Sequence, residues 1–197
     1  HPDDIKVQVL LNQQSPDISQ GVDQSTGDIG AGDQGIMFGF ASSETADLMP
    51  AAITYARMLC DKVYNYALNH NQKLGVDIKT QVTVDYGTKE NFENCKPQKI
   101  HTIVVSAPSV EGMGIGEVRE LIQGLIDDSG LPTSMYDKKS TIIHINPTGR
   151  YVSHSSLHDS GLTGRKLIVD SFGGYSPIGG GAQSSKDYTK VDRSGLY

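Results

Sequence analysis

DLMPAAITYARMLCDKVYNYA, residues 47–67, is the stretch that decides the fold. Thr45 and Asp47 are residue types that cap helix N-termini, and Pro50 suits the first helical turn. The apolar residues that recur at steps of three and four are Ile53, Ala56, Leu59, Val63 and Ala67. One helical face is therefore apolar, and we predict an amphipathic helix that lies on a sheet.

Strand patterns flank this helix. Alternating polarity or short apolar runs predict strands at 5–11, directly after Gly35, and at 79–86, 101–106, 140–146 and 167–169. Residues 116–127 repeat the helical period, whereas 12–28 and 87–99 are polar and predict a long loop and a hairpin region. Asn146-Pro147-Thr148-Gly149 is typical of a turn. We predict an α/β or α+β fold in which helices pack against mixed sheets.

Composition restricts the function classes. The chain has 197 residues, enough for one large or two small domains, and 17 basic against 23 acidic residues give a net charge of −6. This balance argues against a nucleic-acid partner. Cys60 and Cys95 are too few and too far apart for a disulfide framework, and no apolar run approaches a membrane span. We expect a soluble cytoplasmic protein.

The stretch GLTGRKLIVDSFGGYSPIGGGAQSSKDYTKVDRS, residues 161–194, mixes glycines with cations and carboxylates. Glycine lets backbone N–H groups approach a ligand closely, and arginine and lysine bind phosphate oxygens. Asp170, Asp187 and Asp192 would repel phosphate unless Mg²⁺ lay between them. The stretch indicates a polyphosphate site, and the alternative is a solvated loop with ordinary surface ion pairs.

Two other acidic positions are candidates. In GAGDQGIMFGF, residues 30–40, Asp33 stands between glycines where backbone can approach a ligand, although a tight turn with a solvated carboxylate is the simpler alternative. Asp77 and Lys79 stand at the entrance of the 79–86 strand, where a surface ion pair is the default interpretation.

Several long motifs occur together: GAGDQGIMFGF at 30–40, INPTGRY at 145–151, DSGLTGRKLIVD at 159–170, GGGAQSSKD at 179–187 and KVDRS at 190–194. In this order they resemble the S-adenosylmethionine synthetase (methionine adenosyltransferase) family, and the resemblance covers nearly the whole chain. It implies that the sulfur of L-methionine attacks C5′ of ATP, and that the released tripolyphosphate is cleaved to diphosphate and phosphate. Orienting sulfur and stabilising a departing polyanion require cations more than a base.

The resemblance also implies site residues. Those matching the ATP and triphosphate contacts are His1, Asp77, Lys79, Arg150, Tyr151, Asp159, Arg165, Lys166, Ala182 and Lys186. Of these, His1, Arg165, Lys166 and Lys186 match the catalytic positions. Gln14, Asp159 and Lys190 match the methionine site, Asp3 and Asp192 the metal site, and Asp33 a further active-site carboxylate. Two Mg²⁺ per site and K⁺ are the implied cofactors.

Family membership implies three similar α/β units around a pseudo-threefold axis, and a homodimer or homotetramer with active sites between subunits. On this basis 1–26 would be a remnant of the N-terminal domain with a flexible loop, 27–152 the central domain and 153–197 the start of the C-terminal domain. Gln183 and Ile178 depart from the Phe and His that many members carry.

A long N-terminal region, with a potassium-ligating acid and a methionine-binding glutamate, is missing after Asp3, as is the family's C-terminal part. We interpret the chain as incomplete: a truncated variant or, favoured because His1-Pro2-Asp3 is isolated, an intact protein shown without some segments. Two alternatives stay open, a non-catalytic nucleotide-binding regulatory homologue and a tripolyphosphate-cleaving enzyme.

Overall fold

The computed structural model describes residues 6–154, 158–159 and 161–197. The chain divides into two compact units. Unit 1 consists of His1–Met37, described from residue 6 onward, and Gly179–Tyr197. Unit 2 is Phe38–Ile178. Each unit is a mixture of helices and irregular backbone, and unit 2 contains the sheet.

The sheet of unit 2 is mixed and has the strand order β1-β2-β3. Its strands are β1 (Lys79–Asp85), β2 (Lys99–Ser106) and β3 (Ile142–Ile145). β1 and β2 run antiparallel with a register shift between Thr83 and Val84, and β2 and β3 run parallel. These strands confirm the predictions at 79–86, 101–106 and 140–146. The sheet and its helices confirm a mixed α/β class.

Two amphipathic helices supply the rest of the core. They are α2 (Ala51–Asn69) and α4 (Ile115–Asp127), and both were predicted from the helical period. α2 contacts β1 and α4, and α4 contacts β3. The fully buried side chains include Leu59, Val63, Ile103, Ile122 and Ile126. Burying each such side chain contributes about 1.5–3 kcal/mol, so these helices and the sheet hold unit 2 together.

The start of α2 differs from the prediction. Pro50 is the N-cap residue and stands before the first turn, and Glu44 Oε2 accepts a hydrogen bond from the backbone N–H of Ala51 at 2.7 Å. Thr45 instead bonds its own loop, because its hydroxyl donates to the Met49 carbonyl at 2.8 Å. The prediction that Thr45 and Asp47 cap this helix was wrong: a glutamate seven residues before the helix satisfies the orphan donor.

Two short helices complete unit 2. α3 (Lys89–Glu93) lies in the predicted hairpin region and begins at Thr88, whose hydroxyl accepts from the N–H of Asn91 at 3.1 Å. α5 (Leu167–Asp170) replaces the strand predicted at 167–169. The apolar Leu-Ile-Val run suits a strand, but Asp170 N–H bonds the Lys166 carbonyl at 2.9 Å and closes a helical turn. That strand prediction was wrong.

Unit 1 contains α1 (Pro16–Val22) and α6 (Val191–Ser194). The 12–28 segment was predicted to be an irregular loop, so α1 corrects that prediction. Residues 6–11 form no strand, and neither does the segment after Gly35. Val9 is 70% exposed, and no neighbouring strand among the described residues pairs with either segment. Alternation alone cannot make a strand without a surface to bury and a hydrogen-bonding partner.

Cys60 and Cys95 are free thiols, as their spacing predicted. Both are half-buried. Among the helices that the structure describes, none has the length and apolarity needed to cross a membrane.

Asn146 follows β3 and ties this end of the sheet to the loop after β2. Its side chain accepts from Ala107 N–H at 2.9 Å and donates to the Ala107 carbonyl at 3.0 Å, and the residue is 1% exposed. Its φ of 44° lies in the left-handed region, which asparagine tolerates better than most residues.

We predict that Asn146→Ala lowers the free energy of unfolding by about 3 kcal/mol, because both buried groups of Ala107 lose their partner. Urea unfolding followed by circular dichroism measures the change. Asn69→Ala is the control, since Asn69 is exposed and bonds only the Asn65 carbonyl of its own helix. It should change the free energy by no more than about 0.5 kcal/mol. Equal losses in the two variants would contradict the prediction.

Candidate active site

The predicted site residues fall into two sets, one in each unit. In unit 1 the glycine-rich turn at 30–35 meets the segment 186–192, because Gly32 N–H donates to the Thr189 carbonyl at 3.0 Å. Gly35 lies so close to Val191 that a side chain there would overlap the valine. Two motifs that are about 150 residues apart in sequence are thereby brought together.

Lys186 and Asp192 form the best-sheltered ion pair of this set. Lys186 Nζ lies 2.6 Å from Asp192 Oδ2, and the two side chains are 30% and 14% exposed. Gly181 stands directly against the Asp192 carboxylate, and a Cβ on Gly181 would overlap all three carboxylate atoms. Only glycine fits at position 181 without displacing Asp192, and the Gly181 backbone lies against a charged group.

Lys190 pairs with a different carboxylate. Its Nζ lies 2.6 Å from Asp187 Oδ2, while Asp187 Oδ1 accepts from the N–H of Thr189 at 2.9 Å and from the Thr189 hydroxyl. The bond from Lys190, followed by the two from Thr189, holds the pKa of Asp187 well below its usual range. Asp187 stays ionised at all ordinary pH values and fixes the ammonium group of Lys190.

A cavity of about 480 Å³ opens beside these pairs. Its lining residues are Asp33, Gln34, Gly35, Ile36, Gly179, Gly181, Lys186 and Asp192. Asp33 Oδ1 accepts from the N–H of Gln34 at 2.8 Å, which orients the carboxylate in the glycine turn. The cavity thus joins one cation to two carboxylates, and those carboxylates are the residues that could ligate a divalent metal.

The metal ligation offered by the protein is sparse. Within the described ranges, no three His, Cys, Asp or Glu side chains come together as a metal-holding cluster. Asp3, the other predicted ligand, lies outside the described residues, as does His1. Mg²⁺ is commonly held by one or two carboxylates with water and phosphate oxygens, so a sparse set of this kind suits Mg²⁺ better than Zn²⁺.

Two predicted site residues of unit 1, Ala182 and Gln14, do not line the cavity. Ala182 is half-buried and directly follows Gly181, which lines the cavity. Gln14 is exposed in the irregular stretch before α1, and its side chain makes no hydrogen bond to another residue of the described chain. The structure therefore does not bring Gln14 to the cavity.

In unit 2, Tyr151 and Asp77 are brought together although 74 residues separate them. The Tyr151 hydroxyl donates to the Asp77 carbonyl at 3.2 Å, and Ser109 N–H donates to the Tyr151 carbonyl at 3.0 Å. Burial, reinforced by the negative charge of Asp77, raises the pKa of Tyr151 to about 12. The phenol stays protonated and keeps donating throughout the physiological range.

Arg150 and Lys79 flank this pair. Arg150 Nη2 donates to the Val110 carbonyl at 3.3 Å, and Lys79 opens β1 two residues after Asp77. Both side chains are exposed, and the structure, which describes Asp77 and Lys79 fully, forms no ion pair between them. The default surface pair is therefore not formed, and Lys79 is exposed without an ion-pair partner among the described residues.

The other predicted site cations of unit 2, Arg165 and Lys166, lie at the start of α5. Lys166 is its N-cap residue, Arg165 precedes it, and both are exposed. Asp159 is exposed as well. Asp159, Arg165 and Lys166 belong to unit 2. Asp33, Lys186, Lys190 and Asp192 belong to unit 1.

Sequence reasoning missed several supporting residues. Ser109 holds the Tyr151 backbone, but a single serine 42 residues away carries no sequence signal for such a contact. Asp187 was noted among the cations, yet its bonds to Thr189 and Lys190 depend on a local turn that composition does not reveal. The expectation of ordinary surface ion pairs is met in part, because Lys186 and Lys190 are both paired.

Known proteins resemble this chain over its whole length. Profiles of the S-adenosylmethionine synthetase central domain and C-terminal domain match residues 28–151 and 154–197. An S-adenosylmethionine synthase of Rhodopseudomonas palustris (strain HaA2) is 46% identical over 100% of this chain and 49% of its own length. One from Bradyrhizobium is 48% identical over 97% of this chain and 47% of its own.

A solved structure agrees with these relatives. An unusual S-adenosylmethionine synthetase from Campylobacter jejuni superposes with a TM-score of 0.88 and is 69% identical, covering 99% of this chain and 47% of that one. The chain spans about half the length of the curated relatives it matches. On the two domain matches and these identities, the chain belongs to the S-adenosylmethionine synthetase family.

Proposed function

We propose that this chain carries part of the active site of an enzyme that makes S-adenosylmethionine from ATP and L-methionine. The observation that carries the proposal is the cavity of unit 1, where Lys186, Asp192 and Asp33 meet glycine backbone. In a chain of this family, a cation and two carboxylates beside glycine backbone suit the triphosphate of ATP with a divalent metal.

The chemistry needs positioning more than acid or base catalysis. A lone pair on the methionine sulfur forms a bond to C5′ of ATP, and the C5′–O bond breaks with its electron pair leaving on tripolyphosphate. A thioether is already nucleophilic, so the protein must align it and stabilise the leaving polyanion. We assign Lys186, Arg165, Lys166, Ala182 and His1 to the triphosphate.

The nucleoside end is assigned to the second set. Tyr151 offers an aromatic ring and bonds the Asp77 backbone, Arg150 directly precedes Tyr151, and Lys79 follows Asp77 by two residues. Base stacking on an aromatic side chain is worth about 1–3 kcal/mol. We assign Asp159 to adenosine and methionine, and Gln14 and Lys190 to methionine. The exposure of Lys79 and Arg150 supports this assignment, because a ligand can reach both side chains from solvent.

Mg²⁺ fits the donor set in unit 1. Asp192, Asp33 and, from outside the described residues, Asp3 would hold it by carboxylate oxygens. When bound, Mg²⁺ neutralises charge on the phosphate oxygens of the leaving group. Asp192 is held by Lys186 and backed by Gly181, so its carboxylate is oriented before any ligand arrives. K⁺ and a second Mg²⁺ are expected from family membership.

Family membership also supports the wider proposal. We propose a division into 1–26, 27–152 and 153–197 as parts of three similar units around a pseudo-threefold axis. A homodimer or homotetramer would form the active sites between subunits, in the cytoplasm. Cleavage of the tripolyphosphate by water to diphosphate and phosphate would complete the reaction.

A tripolyphosphate-cleaving activity without methionine chemistry is the second candidate. One observation favours it: Lys186, a cation suited to phosphate, lines the cavity of unit 1, while Gln14 is exposed and makes no side-chain hydrogen bond in the described chain.

We predict that Lys186→Met in the intact protein lowers kcat for S-adenosylmethionine formation about 10²–10³-fold, as loss of one preorganised donor to a developing anion does. The measurement is radiolabelled methionine incorporation at saturating ATP and Mg²⁺. Lys89→Met is the matched control, since its ammonium is exposed and pairs only with Glu93 one helical turn away. Turnover by Lys186→Met equal to that of Lys89→Met would contradict the triphosphate assignment.

Gly181→Ala tests the backbone approach. The added methyl group overlaps the Asp192 carboxylate, so we predict a displaced Asp192 and at least a tenfold rise in the Mg²⁺ concentration that half-saturates activity. Gly124→Ala is the control: it lies in α4 with open space around it and should stabilise the helix by about 1 kcal/mol without changing the Mg²⁺ requirement. An unchanged requirement in Gly181→Ala would exclude Asp192 from the metal site.

Supplying ATP with and without methionine separates the two candidate activities. A synthetase should release phosphate and diphosphate in step with product, and very little without methionine, because the polyphosphate is formed only after sulfur attack. Colorimetric phosphate release and chromatography of the nucleoside product measure both. Phosphate release from added tripolyphosphate, with no S-adenosylmethionine formed from ATP and methionine, would favour the tripolyphosphate-cleaving activity.

A further inference from the structure

Little apolar burial holds the segment that carries Arg165 and Lys166. α5 follows these residues directly, and none of its four described residues is buried. Ile168 and Val169 are 42% and 53% exposed. A single helical turn has almost no stability of its own in water, so contacts with other elements must fix its position.

Arg57 supplies such a contact from α2. Its Nη2 donates to the Val169 carbonyl at 2.8 Å and to the Ser171 carbonyl at 3.0 Å. Both acceptors lie at the end of α5, where carbonyls have no partner within the helix. A guanidinium group is planar and always charged, so it holds two acceptors in a fixed geometry better than lysine does.

The helix that carries Arg57 is itself rigidly placed. Its neighbours Ala56 and Leu59 are buried in the core, and the Ala56 carbonyl accepts from the Thr80 hydroxyl of β1 at 2.7 Å. Arg57 therefore connects a fixed helix to an exposed turn. These two bonds fix the backbone of α5 relative to α2, and they thereby restrict the positions of Arg165 and Lys166 at the start of α5.

Downstream contacts fix only the far end of this segment. The Phe172 ring lies 5.8 Å from the Phe40 ring, Gly173 packs on the Ile53 side chain, and the Tyr175 hydroxyl bonds the Tyr86 hydroxyl. All three lie beyond the end of α5. In the described chain, the polar tie between α2 and α5 itself is Arg57.

We propose that Arg57 is a positioning residue that sets the place of Arg165 and Lys166 by clamping the carbonyl end of α5 to α2. The inference rests on the proposed function for its effect on ATP, whereas the clamp is a property of the fold. Arg57 touches no proposed ligand-binding residue directly, so its loss acts only through the backbone.

The test uses the intact protein with Arg57→Met, which keeps the aliphatic length and removes both donors. Lys62→Met is the matched control, because Lys62 lies on the same helix but pairs with Asp128, away from α5. Hydrogen exchange reports on the clamp through the amides of Asp170 and Gly173, which bond the Lys166 and Ile168 carbonyls. We expect exchange at least about tenfold faster in Arg57→Met and unchanged in Lys62→Met.

Kinetics report on the consequence. In Arg57→Met the KM for ATP should rise about tenfold while the KM for methionine changes little, since only the triphosphate cations are displaced. Guanidinium at low millimolar concentration should restore the ATP affinity of Arg57→Met and leave Lys62→Met unaffected. A general loss of stability would raise both KM values or lower kcat alone, and guanidinium at this concentration would not restore the ATP affinity.

The outcomes separate the two hypotheses. Unchanged exchange at Asp170 and Gly173 in Arg57→Met would overturn the clamp, whatever the kinetics. Faster exchange with an unchanged KM for ATP would overturn the positioning of Arg165 and Lys166. If the wild-type protein neither binds ATP nor makes S-adenosylmethionine, the proposed function fails, and the exchange measurement still decides the clamp.

Discussion

The apolar face of α2 packs against β1, and this contact fixes the position of much of unit 2. Leu59 and Val63 are fully buried, and α4 packs beside them with Ile122 and Ile126. Because protein interiors are close-packed, a helix held in this way cannot slide or rotate without opening cavities. Its exposed side can then serve as a reference surface, and Arg57 projects from that side to the carbonyls of α5.

In unit 1, charge and close approach take the place of a core. α1 and α6, both fully described, contain no buried residue, and the contacts that define the cavity are hydrogen bonds, ion pairs and glycine backbone. Gly32 bonds the Thr189 carbonyl and Gly181 lies against Asp192. Larger residues at Gly35 or Gly181 would force these segments apart. The glycine motifs are therefore explained by packing within the unit as well as by a ligand.

Helical periodicity predicted α2 and α4 well because each buries one continuous face, and burial leaves its period in the sequence. Alternation predicted β1 correctly but failed at 6–11, and the short apolar run at 167–169 also forms no strand. A strand depends on a partner that the local sequence does not contain, and the exposed Val9 and Val169 have no such partner among the described residues. The prediction of the cap of α2 failed for a related reason. The carboxylate that accepts from the first backbone N–H of the helix belongs to Glu44, which is outside the usual capping position.

The candidate site was predictable to the extent that chemistry is local. The motifs at 30–35 and 179–192 identified Asp33, Lys186 and Asp192 as candidate site residues, but the motifs are about 150 residues apart and their meeting around one cavity was not predictable from spacing. The contact of Tyr151 with Asp77 and the support from Ser109 and Arg57 come from distant parts of the chain, and no spacing rule relates them. Supporting residues of this kind can be identified only from a three-dimensional structure.

The ion pairs of unit 1 bear on how a polyanion could bind there. Lys186 is 30% exposed, so its pair with Asp192 is partly screened by water and is worth about 1 kcal/mol at most. A hydrogen bond between an ammonium and a phosphate oxygen contributes about 1.5–3 kcal/mol, and a triphosphate offers several such oxygens. Under the proposed function, the resident carboxylate therefore holds the lysine in a narrow range of positions without outcompeting the ligand. Asp192 would share its carboxylate with a bound divalent cation, which would offset its repulsion of the phosphate charge, so the weak pair would preorganise Lys186 at little cost in affinity.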